Sequence, residues 1–152
     1  PRTDWAVHVA LVAGGVPVAG AVALPARALV LSTAAPPPMP AAAGRPRLVV
    51  SRTRPPAETG VLVDALGADV ITMGSAGAKA MAVVLGDAEV YAHSGGQYEW
   101  DSAAPVAVAT SAGLHCSRLD GSPLVYNQAD PWLPDLLICR PELAGAVLAA
   151  LR

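Results

Sequence analysis

The stretch ADVITMGSAGAKAMAVVL, residues 68–85, decides the fold. Its first six residues carry the Val and Ile content of a β-strand, and the glycines at 74 and 77 indicate a loop. The remainder has the composition of a helix, which Gly86 ends. Strand, loop and helix in this order are typical of an α/β domain, in which ligands bind beyond the carboxyl ends of the strands.

The same pattern recurs along most of the chain. Further strands are predicted at residues 48–50, 88–92 and 136–139, and further helices at residues 58–66, 102–112 and 141–151. An antiparallel hairpin over residues 5–24 precedes them, and Asp120-Gly121 predicts a second hairpin within residues 114–126. We therefore predict an α/β fold of helices layered on a mixed sheet, with an N-terminal antiparallel hairpin.

Composition divides the chain into three segments. Residues 1–31 contain the antiparallel strands, residues 32–47 are rich in Pro and Ala, and residues 48–152 hold the alternating strands and helices. The prolines of the middle segment exclude the interior of a regular element, so it is expected to be an exposed loop.

Charge and hydropathy exclude several classes of protein. The 152 residues are 53% hydrophobic with a formal charge of -2, which fits one globular domain without a basic surface for nucleic acid. No apolar run reaches the roughly 18 residues that suggest a membrane span. Cys116 and Cys139 are far apart, as expected of buried free thiols in the cytoplasm. His8, His93 and His115 are equally scattered, which favours surface or core roles over metal ligation.

The segment GSAGAK at residues 74–79 is a candidate phosphate site. Backbone N–H groups around Gly74 can turn toward an anion, Ser75 adds a hydroxyl, and the following helix directs its positive end to the same place. Lys79, the only lysine in the chain, then neutralises a phosphate. The segment lacks the Gly-Lys-Ser/Thr of a Walker loop, and glycine before a helix can also serve packing alone.

Asp101 is the candidate metal ligand. It precedes a run of small residues, so it is predicted to be the N-cap of the helix at 102–112, with Pro105 in the first turn. The plain alternative is a cap without further function. A carboxylate at this edge of the sheet can also reach a divalent cation.

Three motifs together resemble a known family. WDSAAP at residues 100–105 resembles a signature of the inositol monophosphatase superfamily of magnesium-dependent, lithium-sensitive phosphatases. GSAGAK at 74–79 and SRTR at 51–54 are similar to segments of its 3'(2'),5'-bisphosphate nucleotidase branch. The resemblance implies an α-β-α-β-α sandwich and an enzyme of sulfur metabolism that removes the 3'-phosphate of 3'-phosphoadenosine 5'-phosphate. Paired Mg²⁺ ions in such enzymes activate a water molecule.

The resemblance also implies roles for individual residues. The substrate-binding residues are Ser51, Arg54, Gly74, Ser75 and Lys79. Asp101 ligates one of the Mg²⁺ ions. Many relatives have His in place of Arg54, and a guanidinium there can grip the 5'-phosphate through two hydrogen bonds.

One signature of the family is missing. The segment Asp-Pro-Ile/Leu-Asp-Gly-Thr and an upstream Glu, which supply most of the metal ligands in relatives, do not occur. In relatives this segment lies just before the strand that begins here at Trp5. We therefore expect the chain to be the C-terminal half of the enzyme, with catalytic residues upstream of Pro1 and the N-terminal half as its partner. Residues 1–31 then belong to the N-terminal sheet, and residues 48–152 form the substrate-binding domain.

Other functions stay open from the sequence. The substrate within this class can also be inositol monophosphate or fructose 1,6-bisphosphate, although Lys79 favours the nucleotide. A module that binds a nucleotide without catalysis is the alternative from a different class. A homodimer is a further expectation, since relatives often pair, and Glu99 is a candidate to support Asp101.

Overall fold

The computed structural model describes residues 2–42 and 44–152. Pro1 and Ala43, which the predicted segments 1–31 and 32–47 include, lie outside the described residues. The strands in this part of the chain are Val7–Ala13 (β1), Val16–Leu24 (β2), Leu29–Ser32 (β3), Arg47–Ser51 (β4), Asp69–Met73 (β5), Val90–His93 (β6), Gln97–Tyr98 (β7), His115–Ser117 (β8), Trp132–Leu133 (β9) and Leu136–Cys139 (β10). The helices are Thr59–Leu66 (α1), Ala76–Val84 (α2), Glu99–Ser111 (α3) and Pro141–Ala150 (α4).

The first three strands form an antiparallel N-terminal sheet in the order β1-β2-β3. The turn between β1 and β2 is Gly14-Gly15, and both residues have positive φ, which matches the twist of a tight hairpin. The predicted N-terminal hairpin is therefore confirmed, and β3 extends it after a 3₁₀ turn at Pro25–Arg27.

The central sheet has the order β5-β4-β6-β10-β8. Strand β4 is parallel to both of its neighbours, whereas β10 is antiparallel to β6 and β8, so the sheet is mixed as predicted. Leu48, Val49 and Val50 of β4 are all buried although they alternate between the two faces. Both faces of the central sheet are therefore covered.

The elements stack in four layers. Helices α2 and α3 lie between the two sheets, and α1 packs with α4 on the other face of the central sheet. Helix α3 lies so close to β2 that a Cβ on Gly20 would stand 3.2 Å from the Cα of Ala104. This layering confirms the α/β prediction. Among the helices of the described part, none has both the length and the apolar character to cross a membrane.

The predicted second hairpin at residues 114–126 is wrong. Strand β8 pairs with β10 instead, and residues 122–126 form no strand. Asp120 does lie in a turn, where its carboxylate accepts a hydrogen bond from the Ser122 N–H at 2.8 Å. The Tyr126 N–H then donates to the Gly15 carbonyl, which ties this segment to the N-terminal sheet rather than to β8.

The N-terminal sheet has an uncovered apolar face. Its inner face packs on α3, while the outer face is formed by Val7, Val9, Leu11, Ala19, Ala21, Ala23 and Val30. The side chains of Val9, Leu11 and Val30 are 70%, 62% and 64% exposed. Contiguous apolar surface of this kind marks an interaction site.

Candidate functional site

A cavity of about 330 Å³ lies where β4 and β5 end and α2 begins. It is lined by five of the six site residues that the sequence predicts, namely Ser51, Arg54, Gly74, Lys79 and Asp101. Ser51 is the last residue of β4, and Asp101 lies in the first turn of α3. The topology thus brings residues from separate elements to the carboxyl ends of the strands.

The loop before α2 binds the Asp4 carboxylate, an anion from the N-terminal segment. The Asp4 carboxylate accepts a hydrogen bond from the Gly74 N–H at 2.6 Å and pairs with Arg52, and the Asp4 carbonyl accepts from the Ser75 N–H at 3.2 Å. The hydrogen bond from Gly74 and the contact with Arg52 hold the pKa of Asp4 below its usual value. In this structure Asp4 occupies both N–H groups, and phosphate binding by the backbone of residues 74–79 stays a prediction.

Ser75 caps helix α2 and does not line the cavity. Its Oγ accepts a hydrogen bond from the Ala78 N–H at 3.3 Å, as in an ordinary N-cap. The contact of Ser75 with a phosphate or ribose stays a prediction.

Lys79 is a buried cation in the first turn of α2. The side chain is only 3% exposed, and its Nζ donates to the Gly74 carbonyl at 3.2 Å and lies 5.2 Å from the centre of the Tyr91 ring. Burial lowers the pKa of Lys79 to about 8, with Asp4 and Asp101 acting in the opposite direction and Arg54 adding to the fall. An amine held in this way is available to an anionic ligand in the cavity.

Asp101 is not the N-cap of α3. The helix begins at Glu99 with Tyr98 as the N-cap, and the Asp101 Oδ2 reaches back to accept a hydrogen bond from the Tyr98 N–H at 3.0 Å. This is the reciprocal contact of a capping box, in which an acid occupies the third helical position. Pro105 consequently lies inside the helix rather than in its first turn. Because proline has no N–H, the Asp101 carbonyl lacks its usual helical donor.

The described residues offer only part of a magnesium site. Asp101 brings one carboxylate to the cavity, and oxygen is the ligand that Mg²⁺ prefers. Within residues 2–42 and 44–152, no group of three His, Cys, Asp or Glu side chains is arranged to hold a metal ion. The donor set therefore fits Mg²⁺ as one contributor and does not complete its coordination.

The sequence did not identify three further cavity residues. Tyr91 and His93 lie on β6, and Gln97 begins β7. The His93 Nε2 is 3.0 Å from the Gly96 carbonyl, and burial lowers the pKa of this imidazole, which favours its neutral form. His93 was expected at the surface or in the core. The signal that could have identified His93 is its position at the end of a predicted strand. Because this strand is parallel to β4, its last residue lies beside Ser51.

Gly96 is expected to be intolerant of a side chain. It has a φ of +83°, and a Cβ there would overlap the Trp132 ring, whereas Gly95 has a φ of +86° with open space around it. We expect Gly95→Ala to lower the free energy of unfolding by about 1 kcal/mol through backbone strain alone. Gly96→Ala is expected to cost about 1–2 kcal/mol more, since it also displaces Trp132. Urea unfolding followed by tryptophan fluorescence measures both, and equal losses would contradict the clash.

Glu99 faces away from this cavity. Its carboxylate accepts hydrogen bonds from the Asn127 N–H at 2.6 Å and the Gln128 N–H at 3.0 Å. It lines a separate cavity of about 260 Å³ together with His8. A role for Glu99 in supporting Asp101 stays a prediction, and its observed contacts anchor the loop at residues 127–128.

Comparison with known proteins gives concordant results. A protein of Mycobacterium bovis named 3'-phosphoadenosine 5'-phosphate phosphatase is 52% identical over an alignment of 162 residues including gaps. The alignment covers 99% of this chain and 60% of that protein. The 3'(2'),5'-bisphosphate nucleotidase CysQ of Escherichia coli is 31% identical over 86% of this chain and 57% of its own length. The crystal structure of CysQ from Bacteroides thetaiotaomicron, a member of the inositol monophosphatase family, superposes with a TM-score of 0.77 at 24% identity over 91% of this chain and 63% of that one.

The Bacteroides thetaiotaomicron structure shares the fold seen here, and the chain spans about 60% of the length of the Mycobacterium bovis protein. The family model described as the inositol monophosphatase family matches residues 48–152, which make up more than half of the sequence. The resemblance carried by residues 51–54, 74–79 and 100–105 is thereby confirmed, and the chain belongs to the inositol monophosphatase family.

Proposed function

We propose that the complete protein is a Mg²⁺-dependent phosphatase that removes the 3'-phosphate of 3'-phosphoadenosine 5'-phosphate, and that this chain supplies its substrate-binding wall. The observation that carries the proposal is the cavity that unites Arg54, Lys79 and Asp101. The names of the relatives at 52% and 31% identity support the same substrate.

Different cavity residues bind the phosphate groups and the metal ion in this proposal. Arg54 and Lys79 provide the positive charge that two phosphate groups need, and the guanidinium can hold one of them through two hydrogen bonds. Asp101 provides one oxygen ligand for Mg²⁺. The remaining metal ligands and the groups that activate water must come from outside the described residues, so no bond-breaking step is assigned to this chain.

The outer face of the N-terminal sheet indicates that a further part of the enzyme packs on it. Val9, Leu11 and Val30 are more than half exposed there, although surface of this kind is normally covered. We infer that the N-terminal half of the enzyme packs on this face. The same proposal includes the cytoplasm as its compartment, in keeping with the free thiols Cys116 and Cys139. A homodimer stays a prediction.

Substrate preference tests the proposal. For the complete protein with Mg²⁺, we expect kcat/KM for 3'-phosphoadenosine 5'-phosphate to exceed that for inositol 1-phosphate and fructose 1,6-bisphosphate by roughly 100-fold or more, because a site that hydrogen-bonds a substrate rejects analogues that lack the bonded groups. Phosphate release measures all three rates. The 152-residue chain assayed alone is expected to show no turnover.

Three other outcomes would contradict parts of this function. A preference for inositol 1-phosphate or fructose 1,6-bisphosphate would reassign the substrate within the class. Tight binding of 3'-phosphoadenosine 5'-phosphate without phosphate release would make the protein a binding module. Mg²⁺-dependent turnover by the chain alone would show that its own residues complete the active site.

A further inference from the structure

The candidate cavity collects nearly all of the unpaired buried polar atoms in the described part of the chain. The described part contains five buried side-chain nitrogen or oxygen atoms without a hydrogen-bond partner. One of them, the Nε2 of His8, lies outside the candidate cavity. The other four belong to residues that line the cavity and are Tyr91 Oη, His93 Nδ1, Gln97 Nε2 and Gln97 Oε1. Burying a polar group without a partner costs free energy, so this concentration points to partners that a ligand supplies.

The hydrogen bond of His93 fixes which of its nitrogens is an acceptor. The Gly96 carbonyl can only accept, so Nε2 carries the hydrogen and donates to it at 3.0 Å. In a neutral imidazole the other nitrogen then has a lone pair and no hydrogen. The unpaired Nδ1 of His93 therefore needs a hydrogen-bond donor.

Gln97 adds a second acceptor to the same wall. The residue is 7% exposed, and neither its amide nitrogen nor its carbonyl oxygen is paired. Phosphate ester oxygens are acceptors, so they can satisfy Gln97 Nε2 and the Tyr91 hydroxyl but not His93 Nδ1 or Gln97 Oε1. An anion bound by Arg54 and Lys79 would thus leave both acceptors unpaired.

We propose that His93 and Gln97 bind the uncharged part of the substrate by accepting hydrogen bonds from a hydroxyl of its sugar or an amino group of its base. This inference rests on the proposed nucleotide substrate and gives its nucleoside a place in the cavity. Arg54 and Lys79 select for phosphate, whereas His93 and Gln97 select for a hydrogen-bond donor next to it.

Substrate analogues that lack one donor test the proposal in the complete protein. The reference is 3'-phosphoadenosine 5'-phosphate, and the two analogues are its 2'-deoxy form and its form without the 6-amino group. We expect the unaltered protein to lose about fivefold or more in kcat/KM with at least one analogue, as for the loss of one hydrogen bond. In His93→Phe or Gln97→Met the same analogue and the reference are expected to react within about twofold of each other.

The analogue whose kcat/KM matches that of the reference in the variants, but not in the unaltered protein, identifies the donor as the sugar hydroxyl or the base amine. Gln97→Met keeps the shape of the side chain, so it also serves if His93→Phe is unstable after losing the bond to Gly96. His115→Phe is the matched control, because its imidazole pairs with Ser117 outside the cavity and its loss leaves the ratios unaltered. The inference is overturned if the unaltered protein does not discriminate, or if both variants retain its ratios. Normal turnover of the reference would at the same time leave the proposed function intact.

Discussion

Replacing Asp101 with asparagine is expected to lower the turnover of the complete protein roughly 100- to 1,000-fold, since the charge stabilisation that a catalytic metal gives is worth several kcal/mol. The amide keeps an oxygen that can accept the hydrogen bond from the Tyr98 N–H, so the start of α3 is retained. Only the negative charge is lost, which weakens the interaction with a divalent cation. We therefore expect the Mg²⁺ concentration for half-maximal rate to rise as well.

Stability measurements separate this effect from damage to the helix. Loss of a carboxylate from the first turn of a helix costs about 0.3–1 kcal/mol through the helix dipole. Glu142→Gln is the matched control, because Glu142 lies in the first turn of α4 and outside the cavity. Both variants should lose stability in urea unfolding, Glu142→Gln also through its ion pair with Arg140, whereas only Asp101→Asn should lose turnover. A near-normal rate with an unchanged Mg²⁺ requirement would remove Asp101 from the metal site.

The alternating strands and helices could be predicted because each has a local signal. Strand β4 has Leu and Val at its three central positions, and α1 ends at Gly67, whose φ of +59° favours glycine. The short strands could not be predicted in the same way. Strands β7 and β9 have two residues each, which is too short for any periodicity to appear.

The candidate site was predictable where its residues follow strands and not where distant segments meet. Ser51 and Gly74 stand at or just after strand ends, and Lys79 lies in the helix that follows β5, so topology alone brings them together. Asp4 occupies the Gly74 N–H from 70 residues away, and no local pattern indicates this contact. The sequence predicts the wrong helical position for Asp101, because aspartate is common both as an N-cap and in the first turn.

Replacing Lys79 with methionine is expected to weaken substrate binding while making the protein more stable. The ammonium group is buried, and a pKa lowered from 10.5 to about 8 corresponds to about 3 kcal/mol of unfavourable free energy for the charged form. Methionine fills a similar volume without a charge, although it gives up the hydrogen bond to the Gly74 carbonyl and the contact with the Tyr91 ring. We expect a net gain of roughly 1–3 kcal/mol in the free energy of unfolding at pH 7.

The pH dependence of the free energy of unfolding also reports the lowered pKa of Lys79. Between about pH 8 and 10.5 the folded protein has released the Lys79 proton and the unfolded chain still holds it, so the free energy of unfolding rises with pH through this range. The variant lacks this rise. The thiols of Cys116 and Cys139, whose pKa values burial raises, titrate in both proteins, and the difference between the two curves isolates Lys79.

Lys79→Met is expected to weaken substrate binding although it raises stability. If Lys79 binds a phosphate as proposed, its removal is expected to raise KM for 3'-phosphoadenosine 5'-phosphate roughly 10- to 100-fold, because charged hydrogen bonds contribute about 1.5–3 kcal/mol. Arg27→Met is the matched control, since this cation is exposed and pairs with Asp87 away from the cavity. An unchanged KM in Lys79→Met would show that the lysine does not contact substrate, and lower stability would show that its charge is better solvated than its burial indicates. A gain in stability together with a loss of binding would mean that Lys79 is kept for the ligand and not for the fold.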